Sequence, residues 1–135
     1  METITLEQDI KVVCIKAKSF PEGIMNAHEN LAVLIPNIHE RRKFGLSRPE
    51  NGKIEYKAAT EELFPGEAEE LKSERLVIRK GKYNCIMIRD YQKDFPAIGI
   101  AFQKLLHIPG IDPQGYCVEW YVNENDVKCM VRMNG

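Results

Sequence analysis

Two segments of the sequence begin with the dipeptide Phe-Pro and continue with the same apolar spacing. The first, "FPEGIMNAHENLAVLIPN", begins at Phe20, and the second, "FPAIGIAFQKLLHIPG", begins at Phe95. In both, apolar residues recur at helical spacing until an Ile-Pro pair, which a helix rarely continues through. A candidate N-cap, Ser19 or Asp94, lies just upstream of each proline. The sequence therefore predicts two amphipathic helices, each with a proline in its first turn.

The segments that flank these helices repeat as well. A β-branched run precedes each helix, in "DIKVVCIKAK" and in "ERLVIRKGKYNCIMIRDY", where Gly81 breaks the run into one or two strands. Two further strands follow each helix, separated by "ENG" and "NEN". We therefore predict an α+β fold in which a strand-helix-strand-strand module is duplicated, over approximately 8–62 and 74–133, with pseudo-two-fold symmetry. Since one helix on three strands leaves an apolar face open, we expect the halves to form one antiparallel sheet that carries two main helices, with a ligand groove between the halves.

Composition limits the class of protein. A chain of 135 residues with 44% hydrophobic residues is suited to a single domain, which we predict to span 1–135. Its 19 basic and 20 acidic side chains give a net charge of −1, which does not indicate a nucleic-acid-binding surface. The N-terminus lacks the features of a signal peptide, and no apolar run approaches the ~18 residues of a membrane span. We expect a cytoplasmic protein without membrane contact.

The cysteines, histidines and charged segments favour structural roles. None of the four cysteines falls in a Cys-x-x-Cys pair, and the three histidines have no ligand spacing, so we predict buried free thiols, no metal site and no cofactor. The basic cluster "ERRKFG" at 40–45 is expected to be a solvated strand start. The segment "LFPGEAEELKSE" is expected to be an exposed connector between the halves.

Several features together resemble one known family. They are the duplicated plan, "GKY" before an apolar strand, "PGIDPQG" before the terminal hairpin, and above all "VEWY". From about Ile10 to Met133 the chain resembles the GyrI-like small-molecule-binding domain, which also serves as the effector-binding domain of AraC-type and MerR-type multidrug-responsive regulators. The resemblance implies that Glu119, in the Glu-x-Tyr strand, lies among aromatic rings in the groove and meets cationic or polar parts of flat ligands. Residues i and i+2 of a strand share a face, so Tyr121 would converge on the same ligand.

An alternative for Glu119 follows from the hairpin register. If Val122 pairs with Val127, Glu119 shares a face with Lys128 and Arg132 and could be a solvated partner of a base. A one-residue bulge would reverse the faces. The sequence leaves both arrangements open.

Four aromatic residues are further candidates to line the groove. Tyr56 is the strongest of them, since a buried phenol needs a hydrogen-bond partner that a ligand could supply. Phe44 and Phe102 are also candidates, although core packing is the favoured role for both. Trp120 lies on the opposite strand face from Glu119 by alternation, so it contacts a ligand only if the groove is open on both sides.

Three functions follow from the resemblance. The first predicted strand begins within about ten residues of Met1, which leaves no room for a preceding helix-turn-helix segment, so we expect a stand-alone version that does not bind DNA directly. We expect its partner to be a small, flat, cationic or aromatic organic molecule, bound for sensing or sequestration. One alternative is hydrolysis of a strained electrophile, with Glu119 as general base and Tyr121 as phenolic donor. The other is inhibition of a topoisomerase by protein contact.

Overall fold

A computed structural model describes residues 1–134 of the chain. The end of the predicted domain, Gly135, lies outside the described residues. The strands are β1 (Glu2–Leu6), β2 (Ile10–Lys16), β3 (Lys43–Glu50), β4 (Lys53–Glu61), β5 (Glu74–Ile78), β6 (Gly81–Ile88), β7 (Cys117–Tyr121) and β8 (Val127–Arg132). The α-helices are α1 (Ile24–Leu34), α2 (Glu67–Glu70) and α3 (Pro96–Leu106), and short 3₁₀ turns cover Ile38–Glu40 and Tyr91–Lys93.

The eight strands form one antiparallel sheet in the order β1-β6-β8-β7-β3-β4-β2-β5. The α+β class and the antiparallel sheet are therefore confirmed. Strands β7 and β3 meet in the middle of the sheet, where Glu119 pairs with Gly45. The N-terminal strand β1, which the sequence analysis did not predict, pairs with β6 at one edge.

Both main helices lie where the Phe-Pro segments predict them, but their caps differ from the prediction, and Pro21 precedes α1 instead of lying in its first turn. Helix α1 begins at Ile24, after a turn in which the Gly23 amide donates to the Ser19 carbonyl oxygen at 3.1 Å. The predicted side-chain caps are wrong, because neither Ser19 nor Asp94 caps a helix through its side chain. Pro96 is the first residue of α3, as its fixed φ favours.

Each main helix covers one half of the same side of the sheet. Helix α1 packs on β2 and β4, and α3 packs on β6 and β8. The apolar residues under the helices form two separate clusters, centred on Leu31 of α1 and Leu105 of α3. A third cluster, which includes Phe44, Val118 and Met130, lies on the opposite side of the sheet. On the helix-bearing side, the central strands β3 and β7 therefore lie between the areas that the two main helices cover.

Two charged segments expected at the surface are partly buried instead. Arg41 in the basic cluster and Glu67 in the connector are 6% and 3% exposed and form a bidentate ion pair with both N–O distances at 2.7 Å. Glu67 also accepts a hydrogen bond from the Leu63 amide at 3.0 Å. The predictions of a solvated strand start and an exposed connector are thus wrong at these residues, because each charge neutralises the other inside the fold. Within residues 1–134 no helix is both long and apolar enough to cross a membrane.

Candidate functional site

The register of the C-terminal hairpin places Glu119 on the helix-bearing side of the sheet. Tyr121 pairs with Val127 and Glu119 with Cys129, one residue away from the pairing in which Val122 opposes Val127. That pairing, and with it a shared face for Glu119 and Lys128, is therefore wrong. Lys128 lies on the other face, with its Nζ atom 5.6 Å from the centre of the Trp120 ring. Arg132 also pairs elsewhere, with Asp112 at 3.0 Å.

The carboxylate of Glu119 accepts hydrogen bonds from two phenols. Tyr121, two residues along the same strand, and Tyr56 of β4 both donate to Oε1, the latter at 3.2 Å. The two phenol oxygens are 3.3 Å apart. The second oxygen, Oε2, accepts no hydrogen bond from the described residues, so its lone pairs have no protein donor within residues 1–134.

Gly45 makes this cluster possible. Gly45 pairs with Glu119 on one side and with Ala58 on the other. The Tyr56 side chain therefore crosses over the Cα atom of Gly45 to reach the carboxylate of Glu119. A Cβ atom built on Gly45 would lie 2.1 Å from the Tyr56 hydroxyl oxygen and 3.0 Å from Glu119 Oε1. No side chain fits there without displacing Tyr56.

Two residues that the sequence analysis did not select complete the cluster. The Nε2 atom of His28 lies 2.8 Å from the Tyr56 hydroxyl oxygen, and its ring packs edge-on against Tyr121 with centroids 5.4 Å apart. Tyr91, in the turn before α3, packs on Tyr121 with centroids 5.5 Å apart. A signal for His28 existed, because it falls on the apolar face of α1 beside Ala27 and Leu31. The sequence offers no comparable signal for Tyr91.

Burial governs the charges of the cluster. Glu119 is 8% exposed, and its desolvation raises the pKa of the carboxyl, while the hydrogen bonds from Tyr121 and Tyr56 oppose that rise. Desolvation and the Glu119 charge hold the pKa of both phenols well above the ordinary value, so both remain donors. Desolvation, with a smaller contribution from the Lys43 charge, lowers the pKa of His28 to about 4. His28 is therefore neutral near pH 7 and does not neutralise Glu119.

A cavity of about 1150 Å³ lies beside this cluster, between α1 and the turns next to α3. Its apolar and aromatic walls include Ile24, His28, Tyr91, Phe95 and Tyr121. A second cavity of about 770 Å³ lies on the far side of Tyr56, under Phe20. Glu119 lines neither cavity, because Tyr121, His28 and Tyr56 cover its carboxylate.

The other residues predicted to line a groove lie outside the cluster. Phe44 is fully buried on the opposite side of the sheet, where its ring packs on Trp120 with centroids 5.9 Å apart. Trp120 also borders the larger cavity at the end of β7. Phe102 packs under α3 against β8. Of the six predicted residues, the structure thus brings together Glu119, Tyr121 and Tyr56.

Comparisons with known proteins identify the fold. No family model and no curated protein matches the sequence. Among solved structures, an integron cassette protein from the mobile metagenome of Vibrio cholerae is 14% identical with a TM-score of 0.65, and covers 98% of this chain and 95% of its own. The protein SAV2435, solved bound to tetraphenylphosphonium, is 12% identical with a TM-score of 0.67, over 99% of this chain and 93% of its own. A hydrolase from Listeria innocua is 9% identical with a TM-score of 0.62, over 98% of this chain and 90% of its own. These likenesses are compatible with a GyrI-like fold.

Proposed function

We propose that this protein binds small organic cations with flat aromatic groups in the larger cavity, with Glu119 as the counter-ion. The observation that carries the proposal is a buried carboxylate without a cationic partner. Glu119 forms no ion pair with any described residue, and His28, whose ring contacts both phenols, is neutral near pH 7. Carboxylates this deeply buried are normally paired, so a ligand cation would supply the charge that the fold leaves out.

The walls of the cavity suit such a ligand. The rings of Tyr91, Phe95, Tyr121 and Trp120 border it, and aromatic faces attract cations by about 0.5 to 2 kcal/mol each. A cation would reach Glu119 Oε2 after a rotation of the Tyr121 side chain away from the carboxylate. Tyr121 is only partly buried and lies at the last residue of β7, where neighbouring side chains confine it less than they confine Tyr56.

Two further observations support the proposal. A protein with a similar fold, SAV2435, has been solved with tetraphenylphosphonium, a lipophilic aromatic cation. The strand order is also consistent with the duplicated module, since β6-β8-β7 on one side of the sheet centre corresponds to β2-β4-β3 on the other. We therefore propose that the chain is a duplicated GyrI-like domain whose ligand site lies on its pseudo-two-fold axis.

The binding proposal is tested with a charged and an uncharged ligand of similar shape. Methyltriphenylphosphonium and neutral triphenylphosphine oxide are titrated against the wild type and Glu119→Gln, with Trp120 fluorescence as the readout because Trp120 borders the cavity. We expect Glu119→Gln to weaken binding of the phosphonium at least about tenfold, or about 1.4 kcal/mol, and to leave binding of the oxide unchanged.

A matched control separates the site from the net charge. Glu29→Gln removes one carboxylate at an exposed position of α1 that lines neither cavity. This variant should bind the phosphonium like the wild type. Equal affinities of Glu119→Gln and the wild type for the phosphonium would remove Glu119 from the site.

A second candidate function, hydrolysis of a strained electrophile, is favoured by one observation. The raised pKa of Glu119 brings this carboxylate closer to the pKa of an effective general base. Glu119 would take a proton from a water whose oxygen adds to the strained ring, and the oxygen released by ring opening would take a proton from Tyr121. Turnover of styrene oxide that disappears in Glu119→Gln and in Tyr121→Phe would support this function, and wild-type turnover in Glu119→Gln would exclude it.

A further inference from the structure

The larger cavity also contains a lysine whose charge has no partner. Lys43, the first residue of β3, pairs with Tyr121 across the centre of the sheet and projects from the same side. It lines the cavity, and its charge is close enough to His28 to help lower the pKa of that imidazole. Lys43 is partly buried and forms no salt bridge with any residue in 1–134.

The other strong bases of the cavity wall are already neutralised. Arg41 pairs with Glu67 at 2.7 Å, and Arg42 pairs with Glu61 at 2.8 Å. Two further acids of the wall, Glu40 and Glu124, are exposed, so water screens their charges. The ammonium group of Lys43 is therefore the cation that this cavity presents to a ligand.

We propose that Lys43 binds an anionic group on the ligand, so that the preferred ligand is zwitterionic, with a cationic aromatic part on Glu119 and an acidic group on Lys43. The inference rests on the proposed function, since it assumes a ligand in this cavity. The register supplies the spacing. Lys43 opposes Tyr121 and Gly45 opposes Glu119, so Lys43 and Glu119 are diagonal neighbours on adjacent strands, with Cα atoms roughly 7 to 8 Å apart. A ligand of two or three fused rings spans that distance.

The charges on the cavity wall decide which ligands it prefers. An ammonium donates up to three hydrogen bonds, and those to a carboxylate are about twice as strong as neutral ones. A ligand that is only cationic gains from Glu119 but is repelled by Lys43. A ligand that also carries an acidic group converts this repulsion into attraction, so the cavity discriminates between the two.

The test uses a rhodamine that carries a free carboxylic acid and its methyl ester, which share one cationic ring system. Both dyes are titrated by fluorescence anisotropy, at one fixed ionic strength, against the wild type, Lys43→Met and Lys43→Arg. We expect the wild type to bind the acid more tightly than the ester. Lys43→Met should weaken binding of the acid about tenfold and leave the ester unchanged or tighter, while Lys43→Arg should retain the preference for the acid. Lys11→Met, which removes an exposed lysine of β2 outside both cavities, should behave as the wild type.

The outcomes separate this inference from the binding proposal. Glu119→Gln is titrated with the same two dyes. If it binds both more weakly than the wild type, and Lys43→Met changes both affinities equally or neither, the role of Lys43 is refuted and the cation site stands. If neither dye binds the wild type, the proposed function and this inference fail together. Circular dichroism of each variant at the titration temperature verifies that a lost affinity is not a lost fold.

Discussion

Gly45→Ala should destabilise the protein, although alanine is ordinarily favoured over glycine in a strand. The new Cβ atom would lie 2.1 Å from the hydroxyl oxygen and 2.7 Å from the Cζ atom of Tyr56. Tyr56 is 1% exposed, and its hydroxyl is held between Glu119, Tyr121 and His28, so the ring must move as a whole. Overpacking costs about 1 to 3 kcal/mol, and a lost hydrogen bond to a charged group about 1.5 to 3 kcal/mol. Against a gain of about 0.5 to 1 kcal/mol from replacing glycine, we expect a net loss of about 1.5 to 5.5 kcal/mol.

The measurement is urea unfolding of a double-mutant cycle. Tyr56→Leu removes the hydroxyl and the outer ring atoms that the new Cβ would meet. In that background, Gly45→Ala should therefore cost much less than in the wild type, with a coupling free energy above about 1 kcal/mol. A cost of Gly45→Ala that is the same in both backgrounds, or below about 0.5 kcal/mol in the wild type, would refute the close approach of Tyr56 to Gly45.

Three further predictions concern the helices, the buried ion pair and the carboxylate. Leu31 and Leu105 each lie at the centre of one helix interface, so replacing either with alanine should lower the free energy of unfolding in urea by about 2 to 5 kcal/mol. A loss below about 1 kcal/mol at both positions would contradict the packing of α1 and α3 on the sheet. Glu67→Gln should cost about 3 to 5 kcal/mol at pH 7, because it leaves Arg41 buried without its counter-charge. The hydrogen bonds from Arg41 hold the pKa of Glu67 below its ordinary value of 4.5. The wild type should therefore lose this stability as the pH falls from 4.5 through the lower pKa of the folded state. Thermal melts in which Glu67→Gln shows the same acid dependence as the wild type would contradict this. Affinity for methyltriphenylphosphonium should rise as the pH rises through the pKa of Glu119, which burial raises above 4.5, because the proposed site binds the cation to the ionised carboxylate. An affinity of the wild type that does not change with pH would contradict this.

The sequence predicts local features of the fold well because each depends on neighbouring residues. Alternation alone places Glu119 and Tyr121 on one face of β7, and the Ile35-Pro36 pair marks the end of α1. The register of the β7–β8 hairpin was not predictable in the same way. The Oδ1 atom of Asn123 accepts hydrogen bonds from the amides of Asn125 and Asp126 at 2.7 and 2.9 Å, and this turn shifts the pairing by one residue. The register of the hairpin, and with it the side of the sheet that each residue occupies, thus goes together with side-chain hydrogen bonds inside the loop.

The candidate site depends on contacts between residues distant in the sequence. Tyr56 meets Glu119 only because β4 and β7 lie on either side of β3, and because the residue between them is Gly45. His28 enters from α1, which the sequence places on the sheet without specifying which strands it covers. The same limit applies to Arg41 and Glu67, whose charges indicate exposure until the fold brings them within 2.7 Å of each other.

The position of Glu119 follows from how the two helices divide the sheet. Helix α1 covers β2 and β4, and α3 covers β6 and β8, so the fully buried residues of neither apolar cluster come from the central strands β3 and β7. A carboxylate under either helix would have been surrounded by aliphatic side chains, whereas in the middle it accepts hydrogen bonds from two phenols and lies beside a glycine. These groups shield the charge from water, supply hydrogen bonds to one of its oxygens, and leave a cavity next to it. Shielding strengthens the attraction for a ligand cation and raises the pKa at the same time, since both effects come from the same loss of water. We therefore expect the proposed cation to bind less tightly as the pH falls, and Glu119→Gln, which weakens this binding, should also remove its pH dependence.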